Sequence, residues 1–289
     1  MRYARSISAN APKYARSSTG WWKKRAKPEH NVLDALRTMH MTETSLPDIV
    51  AHRGNAADFP ENTLPAIESA LQLGIRHVEF DIQLTADAKP VLFHDQELKR
   101  TTGRPGKIMD LPWQAARRTP AHEPKRFGDR YERVTIPSLE QAVALLQDWP
   151  EAFAFVEIKK ESVHSFGIQR VIGTVLPLIA GVHKRCAIIS FEAEVFQATP
   201  PDLARGLVLR GYDDQRREEV QALEPDFVFV NFRRLPDKGA LWPGRWRWCV
   251  YDIPDPDRGL ALHQRGARLI ETAAVRNYAD DPRFAERHR

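Results

Sequence analysis

The chain has 289 residues, of which 42% are hydrophobic and 28% charged, and its net charge is +5. This composition is typical of a globular protein with one large domain or two small ones, and no apolar run approaches the roughly 20 residues of a membrane-spanning helix. Residues 1–40 carry nine Lys or Arg and two acidic residues, so the other 249 have a net charge of −2. Such a domain lacks the basic surface of a nucleic-acid-binding protein, and we predict neither a nucleic-acid partner nor stable membrane insertion.

Residues 1–46 are predicted to be a basic leader, separate from a catalytic domain over residues 47–289. The leader has scattered Ser, Ala and Arg and lacks the apolar core of a secretory signal. It is interpreted as disordered, as dispensable or mis-assigned, or as a contact with a membrane surface through a cluster of aromatic and basic residues. That cluster comprises Trp21, Trp22, Lys23, Lys24 and Arg25. No amphipathic helix accompanies it, which argues against the membrane interpretation.

Three short apolar runs predict the first strands: Asp48–His52, His77–Leu84 and Pro90–Asp95. Between the first two, Pro60–Leu73 has helical periodicity and stops at Gly74. Too few residues separate the second and third runs for a helix, so we expect a short loop there.

Residues 96–136 interrupt this rhythm because they are rich in Pro, Gly and Arg. They are predicted to form an insert with little regular structure, directly after the third strand. Its position at the end of a strand makes it a candidate lid or substrate-shaping element, and a solvated surface loop is the alternative.

The second half of the chain alternates again between strand and helix patterns. Ser138 and Gln141 predict a capping box at the start of one helix, and Val163–Val182 predicts a long amphipathic helix. The strand-like runs begin at Ala154, Cys186, Gly206, Phe227, Trp246 and Ala267. Charge gathers at the ends of strands, which predicts an α/β fold, namely a (β/α)₈ TIM barrel with a small insert after the third strand. The sequence has nine strand-like runs, one more than the eight strands of such a barrel, so one run is peripheral or is not a strand. We expect the run from Gly206 to be the shortest strand.

The two cysteines, Cys186 and Cys249, lie within predicted strands and are expected to be buried small hydrophobic residues. Two cysteines in a chain of this length do not form the disulfide framework of a small secreted protein. A reducing cytoplasm is therefore the predicted environment.

Charged residues of several predicted strands should meet at one edge of the barrel. Glu79 and Asp81 are two residues apart, so on a strand they share a face and would repel each other unless a cation lies between them. A hard divalent cation is the natural occupant, and an edge strand whose acids meet solvent or arginines is the alternative. His52, Arg53, His94, Glu157 and Lys159 also fall at strand ends. Because buried charges are unfavourable unless paired or metal-bound, this convergence favours a metal site.

Four short motifs occur in a specific order: His52-Arg53-Gly54, Pro60-Glu61-Asn62-Thr63, Glu79-x-Asp81 and Pro90-Val91-x-x-His94-Asp95. Together they resemble the glycerophosphodiester phosphodiesterase family of the bacterial cytosolic type. The resemblance is dense over residues 49–102 and thinner to about residue 275. The segment from Met41 also resembles the short lead-in to the first strand in that family, which favours a dispensable or mis-assigned leader.

The resemblance implies a role for each matching residue. His52 and His94 would be the general acid and base, while Glu79, Asp81 and Glu157 would bind one divalent cation, Mg²⁺ or Ca²⁺. Arg53 and Lys159 would hold the phosphate, and Glu61 and Asn62 would orient the histidine or the metal ligands. Phe191 and Trp248 are expected to shape the pocket for the alcohol of the substrate.

The implied function is metal-dependent hydrolysis of small glycerophosphodiesters to glycerol 3-phosphate and an alcohol in the cytoplasm. A lysophospholipase D, which would need an apolar channel, and a non-catalytic barrel that binds a phosphorylated ligand are the alternatives. The chain departs from the family pattern at three places: Ala88 follows Asp87 where Gly is usual, Cys249-Val250-Tyr251 follow Trp248 where Thr-Val-Asn is common, and Ile270-Glu271-Thr272 replace Ile-Thr-Asp.

Overall fold

The structure is a computed structural model, and it describes residues 46–284. The predicted leader, except for Leu46, lies outside these residues. The described residues contain nine strands: β1 Asp48–Ala51, β2 His77–Leu84, β3 Pro90–Leu92, β4 Phe153–Ile158, β5 Cys186–Ser190, β6 Ala204–Leu209, β7 Phe227–Asn231, β8 Arg247–Tyr251 and β9 Ala267–Thr272.

Eight of the strands form a closed parallel barrel, which confirms the predicted architecture. The order around the barrel is β1, β2, β4, β5, β6, β7, β8 and β9, and β9 returns to pair with β1. Strand β3 pairs with β2 in antiparallel orientation as a short hairpin outside the barrel. The predicted insert follows this hairpin.

The peripheral strand is therefore β3, and the choice of the run from Gly206 as the shortest was wrong. Strand β6 has six residues and pairs on both sides, whereas β3 has three. The reason lies in the hairpin loop, which is too short to carry a helix. Without a crossover the chain can only return antiparallel to β2.

Eleven α-helices occur in residues 46–284: α1 Leu64–Gln72, α2 Lys99–Thr102, α3 Trp113–Ala116, α4 Pro124–Phe127, α5 Leu139–Gln147, α6 Lys160–Phe166, α7 Ile168–Ile179, α8 Ala193–Ala198, α9 Asp214–Leu223, α10 Pro256–Gln264 and α11 Val275–Ala279. Short 3₁₀ helices cover Ile108–Asp110, Ala180–Arg185 and Phe232–Arg234. The predicted capping box is present at the start of α5, where Ser138 accepts from Gln141 and the Gln141 side chain accepts from Ser138.

Two helix predictions differ from the structure. Helix α1 begins at Leu64 because the Thr63 hydroxyl accepts from the backbone N–H of Ala66, so Pro60–Thr63 form the turn before the helix. The long helix predicted over Val163–Val182 is divided by Gly167, whose φ of +78° ends α6. Among the described residues no single helix could cross a membrane; only the bent pair α6 and Ile168–Arg185, at 118° to each other, has the combined length and composition.

Alternation along the strands divides the core into two layers. Inside the barrel, the ring of Phe155 packs edge-on against Phe227 and Phe229, with centroids 4.9 and 5.0 Å away. The outward residues, such as Val156 and Val228, pack against the helices. The register of the barrel therefore decides which polar side chains point inward at its carboxyl end.

The insert and the β3 hairpin share a small core. Leu98, Ile108, Ala116, Ala121 and Ile136 of the insert are buried against Val91 and Phe93 of the hairpin. Although its helices are short, the insert is therefore anchored to the barrel by apolar contacts rather than lying as a solvated loop.

The turn after β1 depends on Gly54. Its φ is +80°, and a Cβ at this position would lie 2.5 Å from the carbonyl carbon of Ala66 in α1. The close approach allows the N–H of Asn55 to donate to the Ala66 carbonyl at 2.8 Å.

We therefore expect Gly54→Ala to lower the free energy of unfolding by at least about 2 kcal/mol, through backbone strain and overpacking. Gly173→Ala is the matched control, because Gly173 lies in α7 with open space around it and should become slightly more stable. Urea unfolding of both variants gives the comparison, and equal stability would contradict the role given to Gly54.

Candidate active site

The first strand delivers two functional side chains through a left-handed turn. His52 directly follows β1, and its N–H donates to the Thr272 carbonyl at 3.0 Å. Arg53 has a φ of +59°, and its N–H donates to Glu79 Oε2 at 3.0 Å. The turn therefore places imidazole and guanidinium groups at the carboxyl end of the barrel.

Four buried carboxylates of the barrel strands lie at this end of the barrel: Glu79, Asp81, Glu157 and Glu271. Asp81 and Glu157 are partners across β2 and β4. Glu79 and Asp81 lie in the middle of β2, not at its end, because β2 continues beyond the barrel into its hairpin with β3. Both side chains nevertheless lie near the rim of the barrel and face its interior, and they share one face of the strand as their two-residue spacing predicts.

Two cations neutralise part of this charge. Lys159 Nζ lies 2.6 Å from Glu157 Oε1 and 3.2 Å from Asp81 Oδ1, and Arg53 Nε lies 3.2 Å from Asp81 Oδ2. Burial alone would raise the pKa of Asp81, but the charges of Lys159 and Arg53 outweigh it and hold the pKa well below its usual range. Asp81 is thus an anion fixed between two cations.

The remaining acids carry charge that these two cations do not balance. Burial raises the pKa of Glu79 well above its ordinary value, and the neighbouring carboxylates raise it further. Burial also raises the pKa values of Glu157 and Glu271, and at Glu157 the charge of Lys159 opposes this shift without cancelling it. Counted as ionised, the four acids exceed the two cations by two charges.

The arrangement fits a divalent cation. Ligand atoms of Glu79, Asp81 and Glu157 lie within 4.8 Å of one another, and so do those of His52, Glu79 and Glu271. Glu79 Oε1 is buried and has no hydrogen-bond partner among residues 46–284. An unpaired buried carboxylate oxygen is unfavourable, and oxygen ligands at this spacing suit Mg²⁺ or Ca²⁺.

Both predicted catalytic histidines line one cavity of about 160 Å³, together with Arg53, Glu157 and Lys159. Burial, followed by the positive charge of Arg53, lowers the pKa of His52 to about 3, so its imidazole is neutral. His94 follows β3, and its Nδ1 lies 2.7 Å from Asp95 Oδ1, which fixes the orientation of the ring.

Glu61 and Asn62 support the site from behind. The Asn62 amide donates to Asp81 Oδ2 at 2.8 Å, and its oxygen accepts from the Asp81 N–H at 3.0 Å. Glu61 accepts from Arg53 Nη1 at 2.8 Å and from Arg100 Nη1 at 2.6 Å. Arg100, from the insert, also donates to Asp95 at 2.6 Å. Its guanidinium therefore links Glu61, which binds Arg53, to Asp95, which orients His94.

The structure separates the two aromatic residues predicted for the alcohol pocket. Phe191 directly follows β5 and lines the cavity, with Lys159 Nζ 5.9 Å from its ring centroid. Trp248 lies at the second position of β8, faces outward and is buried against Trp242 and Trp246. The structure does not bring Trp248 to the cavity, because alternation along β8 turns its side chain towards the helices.

Several residues in or next to the cavity are not identified as site residues by the sequence alone. Tyr251, at the end of β8, occupies the place expected of Trp248, and Asp252 Oδ1 lies 3.9 Å from His52 Nδ1. Glu271 was noticed only as a departure from the family pattern, although an acid near the end of a buried strand was a signal for it. Arg100 was one of several arginines in the insert, and nothing in the sequence distinguished it.

Comparison with known proteins agrees with these motifs. Residues 52–199 match the family model described as the glycerophosphoryl diester phosphodiesterase family. Glycerophosphodiester phosphodiesterase 1 of Bos taurus is 41% identical over 95 residues, which cover 33% of this chain and 29% of that protein. Glycerophosphodiester phosphodiesterase of Bacillus altitudinis is 34% identical over 124 residues, 43% of this chain and 50% of the relative. The chain thus spans half or less of the length of these relatives.

Solved structures share the fold. A phosphodiesterase of Oleispira antarctica, in complex with the product sn-glycerol-3-phosphate, superposes with a TM-score of 0.69 at 23% identity, covering 84% of this chain and 96% of that one. A putative glycerophosphoryl diester phosphodiesterase of Silicibacter pomeroyi gives a TM-score of 0.70 at 19% identity, with coverages of 89% and 97%.

The pairing of Glu61 with two arginines predicts a stability effect. Glu61→Gln would leave Arg53 and Arg100 short of a negative partner in a largely buried network, and should lower the free energy of unfolding by about 2–4 kcal/mol. Glu140→Gln, which breaks the more exposed pair with Lys89, should lower it by less than about 1 kcal/mol. Thermal unfolding at matched pH distinguishes the two variants, and equal losses would contradict the buried network.

Proposed function

Because the chain belongs to the glycerophosphoryl diester phosphodiesterase family, we propose that it hydrolyses glycerophosphodiesters to glycerol 3-phosphate and an alcohol. The observation that carries the proposal is the convergence of two histidines and two cations on one cavity at the carboxyl end of the barrel, beside a cluster of buried carboxylates of which Glu157 and Glu271 line the same cavity. In barrel enzymes that end holds the active site. The activity named for the relatives, and the product bound to the Oleispira enzyme, support the same reaction.

Arg53 and Lys159 are proposed to bind the non-bridging phosphate oxygens. Both line the cavity, and their ion pairs with Asp81 and Glu157 hold them in place before substrate arrives. Cations that are already fixed in position stabilise the charge that develops in the transition state without having to reorganise.

Glu79, Asp81 and Glu157 are proposed to hold one divalent cation, Mg²⁺ or Ca²⁺. When bound, the cation would stabilise negative charge on the phosphate oxygens. The two excess negative charges of the acidic cluster support one divalent ion, and the unpaired Glu79 Oε1 supports a ligand at that carboxylate. Asn62 keeps Asp81 oriented through its two hydrogen bonds.

His52 and His94 are proposed to move the protons of the reaction. One imidazole accepts a proton from the attacking water, or from a glycerol hydroxyl that forms a cyclic phosphate which water then opens, and the other imidazole donates a proton to the leaving alkoxide. Both rings border the cavity that would hold the phosphate, and their positions are fixed from opposite sides, by the β1 turn and by Asp95. A leaving alkoxide is a strong base, so it needs this proton.

A water-soluble diester fits the cavity better than a lysophospholipid. An acyl chain would need an apolar channel, for which Trp248 and the insert were the expected walls. Trp248 faces away, and the insert contributes Arg100 to a charged network instead. A non-catalytic barrel is also disfavoured, because both histidines and all three metal carboxylates are present in one site.

Residues 47–289 are proposed to form the catalytic unit, acting in the cytoplasm. Cys186 and Cys249 are buried in β5 and β8 and are free thiols, which supports a reducing environment.

Metal binding can be measured independently of catalysis. Glu79→Gln should weaken binding of Mg²⁺ or Ca²⁺ by about 100-fold, because it removes a charged oxygen ligand from a buried site. The control is Glu68→Gln, on the exposed face of α1, which should bind the ion like the unmodified protein. Calorimetric titration gives both affinities, and unchanged binding by Glu79→Gln would refute the proposed ligand set.

The catalytic proposal is tested by release of glycerol 3-phosphate from glycerophosphocholine. EDTA should abolish release, and added Mg²⁺ or Ca²⁺ should restore it. His52→Asn and His94→Asn should each lower kcat by about 10²–10⁴-fold, the usual contribution of a general acid or base. His183→Asn, an exposed position before β5, is the control. Folded His52→Asn protein with full activity would contradict the assignment.

A further inference from the structure

A second cavity lies beside the catalytic one, and we call it the arginine groove. Its volume is about 630 Å³, and its lining includes Arg210, Arg233 and Arg234, with Asn231 beside them. Phe191 and Tyr251 line both cavities and therefore form their common wall. The groove lies at the carboxyl ends of β5–β8, on the same face of the barrel as the proposed active site.

The groove is positively charged. Arg210 pairs with Glu192 at 2.6 Å, but neither Arg233 nor Arg234 has a carboxylate partner within residues 46–284. Both side chains are exposed, and the Arg233 guanidinium lies 5.4 Å from the ring centroid of Phe232. At least two guanidinium groups are thus available to an anionic ligand.

Asn231 fixes the turn that carries these arginines. Its oxygen accepts from the Arg233 N–H at 3.0 Å, which caps the 3₁₀ helix Phe232–Arg234. Its amide donates to Asp252 Oδ2 at 2.6 Å, which ties that carboxylate to the end of β7. The cations are therefore presented from a defined position rather than from a long loop.

The proposed catalytic groups and the groove arginines come from different strands. The groups proposed to bind and cleave the phosphate lie on or directly after β1–β4, whereas the groove is built at the ends of β5–β8, which also supply apolar and aromatic walls of the catalytic cavity. Phe191 links them, because its ring lies 5.9 Å from Lys159 Nζ and 4.8 Å from Arg210 Cζ. A phosphodiester carries two organic groups, which here are glycerol and the alcohol. If one of these groups extends from the phosphate past Phe191 and Tyr251, it enters the groove.

We propose that the arginine groove binds an anionic group on the alcohol arm of the substrate. The preferred substrates are then glycerophosphodiesters whose alcohol carries a further phosphate, an inference that rests on the proposed function. Guanidinium groups present paired donors that match phosphate oxygens, whereas a cationic alcohol such as choline meets like charge.

The test compares kcat/KM for glycerophosphoinositol 4-phosphate, glycerophosphoinositol and glycerophosphocholine. The ratio of the first two isolates the effect of the added phosphate and should be about tenfold or more, as expected for charge-assisted hydrogen bonds. Arg233→Gln/Arg234→Gln should bring this ratio close to one. In the unmodified enzyme the ratio should also fall when salt is raised to about 0.5 M, because both arginines are exposed to screening.

The matched control is Lys184→Gln/Arg245→Gln, which removes two exposed charges at the opposite, amino end of the barrel. It should keep the ratio of the unmodified enzyme. A ratio near one in the unmodified enzyme, or an unaltered ratio in the Arg233/Arg234 variant, would refute the proposed role of the groove. In either case, hydrolysis of glycerophosphocholine would still support the proposed function. No hydrolysis of any of the three diesters would overturn both.

Discussion

The structure of the site depends on Asp81, a buried anion held between Arg53 and Lys159. These three groups are delivered by β1, β2 and β4, so their contact requires the barrel to close between β1 and β2. Each charge would be unfavourable alone in this environment, but each stabilises the others. The surplus of acid around them then creates a need for one more cation, which makes the site suitable for a divalent ion.

Backbone strain is concentrated around this charge cluster. Of the six non-glycine residues with positive φ in residues 46–284, four belong to the site or to its support: Arg53, Asn62, Glu123 and Asp252. Glu123 belongs to the support because it accepts a hydrogen bond from the Glu61 N–H at 2.6 Å and so holds the Pro60–Thr63 turn. Such conformations persist only where surrounding contacts enforce them. Here the ion pairs and hydrogen bonds that compose the site are those contacts.

The sequence predicted much of this arrangement, because charged residues at the ends of apolar runs have few structural explanations. His52, Glu79 and Glu157 were found in this way. Three-dimensional contacts decided the remainder. Trp248 and Tyr251 are both aromatic residues of β8. Because side chains alternate along the strand, Trp248 faces outward and Tyr251 faces the cavity. The break at Gly167 was hidden because the apolar pattern continues on both sides of a single left-handed residue. Arg100 depends on how the insert folds, which no local pattern specifies.

The insert and the arginine groove act on different parts of the proposed reaction. Arg100 connects Asp95, which orients His94, with Glu61, which holds Arg53. The insert therefore stabilises the groups proposed to bind and cleave the phosphate. The turn after β7 carries Arg233 and Arg234, whose exposed side chains line the wider groove. Changes at these two arginines can therefore alter which alcohol is accepted without disturbing the buried charges. In a barrel this separation follows from closure, since each strand end contributes to the rim independently of the others.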